Sequence, residues 1–247
     1  MRRWQLIAVG LGAYALGLAA TVPASLLDAG LQQASEGRLR LNDTRGKLWS
    51  GTGQLEMRDR MQKPAIVRNI AWTVRPLYLL RGQLRVEFTL DQAVKPFPVT
   101  LSLSQVEVTE ADLNLPASAL GLVESKLAPL GLTGDLMLHI NRLVVGRTAM
   151  QGSAVLQWRG AGSAYTRISP LGDYELRLEG EGSSVRATLR TLQGPLQLDG
   201  KGAWTNGTRP AFLGNARIEP QERPQLAPLM RLIAMERGDG SFELQLK

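Results

Sequence analysis

Apolar and polar residues alternate one by one along most of this chain. In "LRVEFTL", Leu84, Val86, Phe88 and Leu90 share one parity, and Arg85, Glu87 and Thr89 take the other. Successive side chains of a strand point to opposite faces, so this period predicts strands with one wet face and one buried face. "VTLSLS" repeats the pattern with Val99, Leu101 and Leu103. At Gln105 the parity shifts to Val106 and Val108, which predicts a bulge or a strand break there. "DLMLHI" sets Leu136, Leu138 and Ile140 on one face, "DYELRL" sets Tyr174, Leu176 and Leu178, and "SFELQL" sets Phe242, Leu244 and Leu246. Half-wet strands of this kind belong to antiparallel sheets, so the chain reads as mainly β.

Two stretches break the rhythm. "PASALGLVESKLAPLG" places Leu120, Val123, Leu127 and Leu130 at helical steps, between Pro116 and Gly131. "RPQLAPLMRLIAMERGDG" does so with Leu226, Leu229, Met230 and Ile233, ending at Gly238-Asp239-Gly240. Both predict short amphipathic helices. Both contain Leu-Ala-Pro-Leu, at 127–130 and 226–229, followed by a Gly-Asp pair and an alternating strand. This predicts one unit used twice, with similar halves over 31–131 and 132–247 that form a curved sheet.

The first thirty residues follow another pattern. From Trp4 to Leu27 no residue is charged, Arg2 and Arg3 precede the run, and Asp28 follows it. A bilayer core takes about 20 apolar residues. The run therefore predicts a single transmembrane signal anchor within residues 1–28, with Trp4 at the interface. Arginines on the short side predict a cytoplasmic N-terminus and an exported, periplasmic domain over 29–247. A cleaved signal peptide is the competing reading, with small residues at Gly17–Ala20 and Val22–Ala24 offering cleavage.

Composition sharpens this. The 26 glycines and 13 prolines suit a chain that turns often, and zero cysteines exclude disulfides and thiolate metal sites. Net charge is +7, but basic residues are scattered, and the densest pairs alternate with acids, as in Arg85-Val86-Glu87 and Glu175-Leu176-Arg177. No polybasic run is interleaved with aromatics, so no nucleic-acid partner is expected.

"TRGKLWSGTG" at 44–53 holds the most distinctive word in the chain. A phosphate loop needs Lys followed by Ser or Thr at the start of a helix. Here Lys47 is followed by Leu48 and strands flank the stretch, so that reading fails. The residues fit Leu39 and Leu41 on one strand, a turn around Asn42–Gly46, and then Leu48. Gly51 and Gly53 permit a bend or a close backbone approach, and Trp49 is expected to pack.

With the apolar N-terminal run and the β-rich remainder, the hexapeptide "GKLWSG" makes the chain resemble the type II secretion system protein N family. Gly46, Leu48, Trp49, Ser50 and Gly51 carry the resemblance, and "LAPLMRLIAMERGDG" followed by "SFELQL" adds to it. The resemblance implies a bacterial inner-membrane, accessory component of the machine that exports folded periplasmic proteins across the outer membrane. It implies other subunits of that machine as partners. It also implies kinship with groove-forming envelope proteins that handle lipid.

Candidate chemistry is sparse. His139, the sole histidine, falls between Leu138 and Ile140 on the wet face of a strand, with no partner histidine or cysteine for a metal. No Gly-x-Ser-x-Gly elbow accompanies it, and the glycine-rich "GAGS" and "GEGSS" read as turns. The expectation is a non-enzyme without cofactor or metal. Two roles compete: an assembly component that binds partners by strand addition, and a module that holds acyl chains in a sheet groove. The many Arg, Glu, Gln, Thr and Ser on the wet faces favour assembly.

Overall fold

The computed structural model describes residues 21–58, 64–91, 95–123, 127–205, 208, 211–237 and 241–246. The chain divides into two compact units, 1–91 and 92–247. Residue 131, where the sequence repeat separates its halves, lies inside the second unit.

The first unit is an antiparallel meander laid against one helix. The helix is α1, Ser25–Ala34. The strands are β1 (Leu39–Lys47), β2 (Ser50–Arg58), β3 (Pro64–Arg75) and β4 (Leu84–Leu90). Each pairs with the next. The alternation of "LRVEFTL" is realised in β4, where Val86 is buried. The core of this unit is Ala24, Leu41, Trp72, Val74 and Val86, with Leu27 and Leu31 of α1 packed against it.

The anchor expectation needs correction. Residues 4–20 of the expected span lie outside the described residues. Among the described residues no helix is long and apolar enough to cross a membrane, so the transmembrane helix is unsupported. Residues 25–27, read as the end of that span, instead begin α1, which runs on through Asp28 to Ala34. Its inward positions are Leu27, Asp28, Leu31 and Gln32, spaced as one helical face. That face is mixed because it serves two surfaces. The leucines meet the core, while Asp28 accepts the Leu41 amide at 2.8 Å and the Gln32 side-chain carbonyl accepts Arg40 at 3.0 Å. Ser35 Oγ accepts the Leu39 amide at 3.0 Å. Helix α1 thus covers the outer edge of β1, which otherwise offers unpaired amides to another strand.

The turn expected at Asn42–Gly46 is also corrected. Strand β1 continues through it with a bulge between Asn42 and Arg45, where Asp43 takes a left-handed φ of +48°. The chain reverses later, at Leu48 and Trp49, since Lys47 already pairs with Ser50.

The second unit begins with β5 (Phe97–Leu101) and β6 (Gln105–Pro116). The parity slip at Gln105 is the strand break between them. Leu103 does not continue the apolar face of β5, as the alternation implies, but sits in the turn, 97% exposed. Among the described residues, the expected helix after Pro116 takes the form of 3-10 turns at Ala117–Ala119 and Ala128–Leu130 and the one-turn helix α2, Leu120–Val123. A Cβ on Gly121 would come within 2.9 Å of the Ala128 Cα. The segment therefore folds back on itself there.

Strands β7 (Leu132–Gly146), β8 (Met150–Ser163), β9 (Gly172–Gly182), β10 (Ser184–Gln193), β11 (Leu196–Thr205) and β12 (Phe212–Ile218) follow as an antiparallel meander. Helix α3, Arg223–Ile233, then crosses to β13 (Met235–Glu236) and β14 (Phe242–Leu246), and β14 pairs with β12. The expected second helix is thus formed, but it stops at Ile233 rather than at Gly238. Leu226, Leu229 and Met230 of α3 meet Phe242, Leu196, Ala216 and Leu171 in the main cluster. Leu130 joins them, so both Leu-Ala-Pro-Leu segments deliver leucines to one core. Full burial of side chains such as Phe242 and Met230 stabilises by about 1.5–3 kcal/mol each.

Candidate functional site

The hexapeptide 46–51 forms the tip of the β1–β2 hairpin. Gly46 pairs with Gly51 and Lys47 with Ser50, leaving Leu48 and Trp49 as a two-residue loop. Two-residue loops are the commonest way to reverse an antiparallel pair. Gly46 has a φ of +98°, and a Cβ there would lie 2.6 Å from the Ser50 carbonyl oxygen. Gly51 is constrained by space instead. A Cβ would lie 2.5 Å from the Arg45 carbonyl oxygen and 2.6 Å from Cζ2 of Trp72.

The loop backbone is tied to three neighbours. Trp72 Nε1 donates to the Leu48 carbonyl at 3.1 Å, and the Val74 amide donates to the Trp49 carbonyl at 2.7 Å. The Leu48 amide donates to the Val22 carbonyl at 2.9 Å, and Pro23 bridges to Lys47. The half-buried Trp49 ring packs on the first unit's core. The hairpin tip is therefore a junction where the chain entering at residue 22, strand β3 and the core meet. Gly46, Leu48, Trp49 and Gly51 build it, and Ser50 is its exposed return residue.

Sequence reasoning missed Trp72 and Asp28. Trp72 had a signal: Ile66, Ile70, Trp72 and Val74 share a parity that faces the small residues Gly51 and Gly53 of the neighbouring strand. Two glycines on an apolar face need a bulky partner to fill the space above them.

The polar face of the first unit carries an open groove of about 440 Å³, lined by Asp43, Arg45, Thr52, Gln54, Asn69 and Thr89 among others. Its lining has hydroxyls and amides but no histidine, cysteine or serine. In the second unit, His139 lies exposed on β7, with Nδ1 2.5 Å from Asp112 across the β6–β7 pair. Glu175 is buried on β9 and meets Arg190 at 2.8 Å and Gln157 at 3.1 Å, each directly opposite on a neighbouring strand. Arg142 reaches Glu107 at 2.7 Å on the diagonal of the β6–β7 pair, where Thr109 is its direct opposite. These rows explain the alternation of Arg and Glu as ladders between strands.

Tyr174 is buried, and that burial, helped by the Asp173 charge, pushes its phenol far above the ordinary tyrosine range. Its hydroxyl lies 2.8 Å from the Leu196 carbonyl and 3.2 Å from the Leu171 carbonyl. It acts as a brace and stays protonated. The Arg75 hydrogen bond holds the Glu87 carboxyl below its usual range, and Arg231 does the same for Glu236. Among the described residues no group of three or more His, Cys, Asp or Glu stands close enough to hold a metal ion.

A scan against protein-family models matches residues 12–245 to type II secretion system (T2SS), protein N. The chain belongs to the type II secretion system protein N family. The match takes in both compact units, so the family assignment rests on nearly the whole chain and not on the hexapeptide alone. Membership gives this protein N relative a role in type II secretion, a place in the cell envelope, and association with other components of that system. No curated protein and no solved structure matches the chain.

Proposed function

We propose that this chain is an accessory subunit at the inner membrane that helps assemble or stabilise the type II secretion machine, and that it catalyses no reaction. The family match over residues 12–245 is the observation that carries the reading. The architecture supports it. Long strands with cross-strand charge ladders give each unit a scaffold with a polar surface. The other type II secretion subunits are its partners. They meet the charged strand faces rather than the edge of β1, because α1 already occupies the Leu39 and Leu41 amides. The acyl-groove alternative has no observation of its own in its favour.

Deletion of the gene in a strain with the full secretion operon tests the proposal. The expected result is exoprotein trapped in the periplasm, or loss of another subunit from the envelope. Normal secretion with every other subunit retained would refute it.

A further inference from the structure

The 3-10 turn Pro76–Arg81 joins β3 to β4 and buries none of its residues. Leu77 is 76% exposed, Leu80 86% and Leu79 44%. Three leucines in water at one hairpin tip form an apolar patch that marks a contact surface. The turn holds them in place. Gly82 caps it with a left-handed φ of +68° and donates to the Leu79 carbonyl at 3.0 Å, and the Gln83 amide donates to the Tyr78 carbonyl at 3.1 Å.

The surroundings are amphipathic. Arg81 is exposed beside the leucines, while Arg75, at the other end of the turn, is already held by Glu87 at 2.9 and 2.7 Å. The Arg85 guanidinium lies 5.1 Å above the Tyr78 ring, with Nη1 3.3 Å from the phenol oxygen. Leucines, a half-buried tyrosine under Arg85 and the exposed Arg81 match the chemistry of a bilayer interface. Leucine enters the acyl boundary, tyrosine sits at headgroup level, and arginine meets phosphate.

The turn also has a telling position. Thr73 pairs with Ser50 and the Val74 amide reaches the Trp49 carbonyl, so the turn leaves the sheet at the same end as the 48–49 loop. Residues 22–24 enter the unit at that end, through the Val22–Leu48 and Ala24–Gly46 contacts. Leu26, in the first turn of α1, is 58% exposed there.

We propose that this end of the first unit seats on an anionic phospholipid bilayer, with Leu77 and Leu80 in the acyl boundary and Arg81 on headgroup phosphates. The proposal rests on the chemistry of the turn and on no part of the assembly role. It describes a surface contact of a hairpin tip, not a groove that encloses acyl chains.

The chain has no cysteine, so Leu80→Cys gives a unique labelling site. The full chain is reconstituted in phosphatidylethanolamine vesicles with and without phosphatidylglycerol, carrying an environment-sensitive fluorophore at 80. Val67→Cys is the control, because Val67 is 49% exposed and pairs with Glu56 towards the far end of β3. The expected result is a blue-shifted label at 80, quenched several-fold more than that at 67 by nitroxide lipids. Phosphatidylglycerol strengthens the quenching, and Leu77→Glu or Arg81→Glu weakens it. A label at 80 as wet and unquenched as that at 67 would overturn the proposal and assign the leucines to a protein partner. Quenching indifferent to phosphatidylglycerol and to Arg81→Glu would overturn it too, since anionic headgroups would then play no part.

Discussion

The indole of Trp72 spans the first hairpin: its Nε1 donates to the Leu48 carbonyl at 3.1 Å while its ring occupies the space above Gly51. Trp72 is 4% exposed, whereas Trp49 in the loop is half-buried. Trp72→Phe keeps most of the ring but strands the carbonyl, which costs about 1–3 kcal/mol. Trp72→Ala costs about 3–5 kcal/mol, and Trp49→Ala costs less than that. Urea midpoints of the three variants, at unchanged slope, check the order.

Two glycines in this unit respond in opposite directions. Gly51→Ala forces a methyl against the Arg45 carbonyl and the Trp72 ring, and overpacking of this kind costs about 1–3 kcal/mol. Gly30 lies inside α1, where an added methyl would meet nothing within 4 Å, and its φ is not left-handed. Gly30→Ala therefore stabilises by about 0.5–1 kcal/mol through helix propensity. Thermal melts of both variants test the contrast.

Asp28 guards an edge. Asp28→Ala removes the acceptor of the Leu41 amide and of Gln32 Nε2, at 2.8 and 2.6 Å. A loss of about 1–3 kcal/mol is expected, because the bonds are made to a charged, partly buried acceptor. The exposed β1 edge should also pair with other copies, visible as concentration-dependent light scattering. A variant that loses stability but stays monodisperse would show that α1 covers the edge without this carboxylate.

Stability falls at high pH through Tyr174. Its phenol has a raised pKa in the folded state, so the unfolded chain loses that proton first. The contribution is complete below about pH 10 and declines above it, by up to about 1.4 kcal/mol per pH unit. Tyr174→Phe should flatten this alkaline slope in pH-dependent urea melts. On the acid side, Glu87 and Glu236 have lowered values, so their contributions are present above the ordinary carboxylate range and fade as pH falls through it. Both pairs are exposed, and salt should erase the effect.

The strands of this protein are determined by local pattern. Leu84–Leu90 and Leu136–Ile140 alternate because each residue must choose between a core face and water, and that choice is written one side chain at a time; in Tyr174–Leu178 the polar face is itself partly covered, with Glu175 buried against Arg190 and Gln157. Helix α3 is legible for the same reason, since Leu226, Leu229 and Met230 recur at helical spacing. The hexapeptide and its neighbourhood needed the fold. Whether 42–46 turns or bulges, and whether Ser25–Leu27 ends one helix or begins another, depends on contacts with residues distant in sequence: Glu56 holding Asn42 at 2.7 Å, and Leu41 held by Asp28. The same holds for the fold-back at Gly121, where Ala128 returns against it. Periodicity reports which face a residue prefers. It carries no information on which strand fills the space above a glycine, and Trp72 is placed over Gly51 only by the register of β2 on β3.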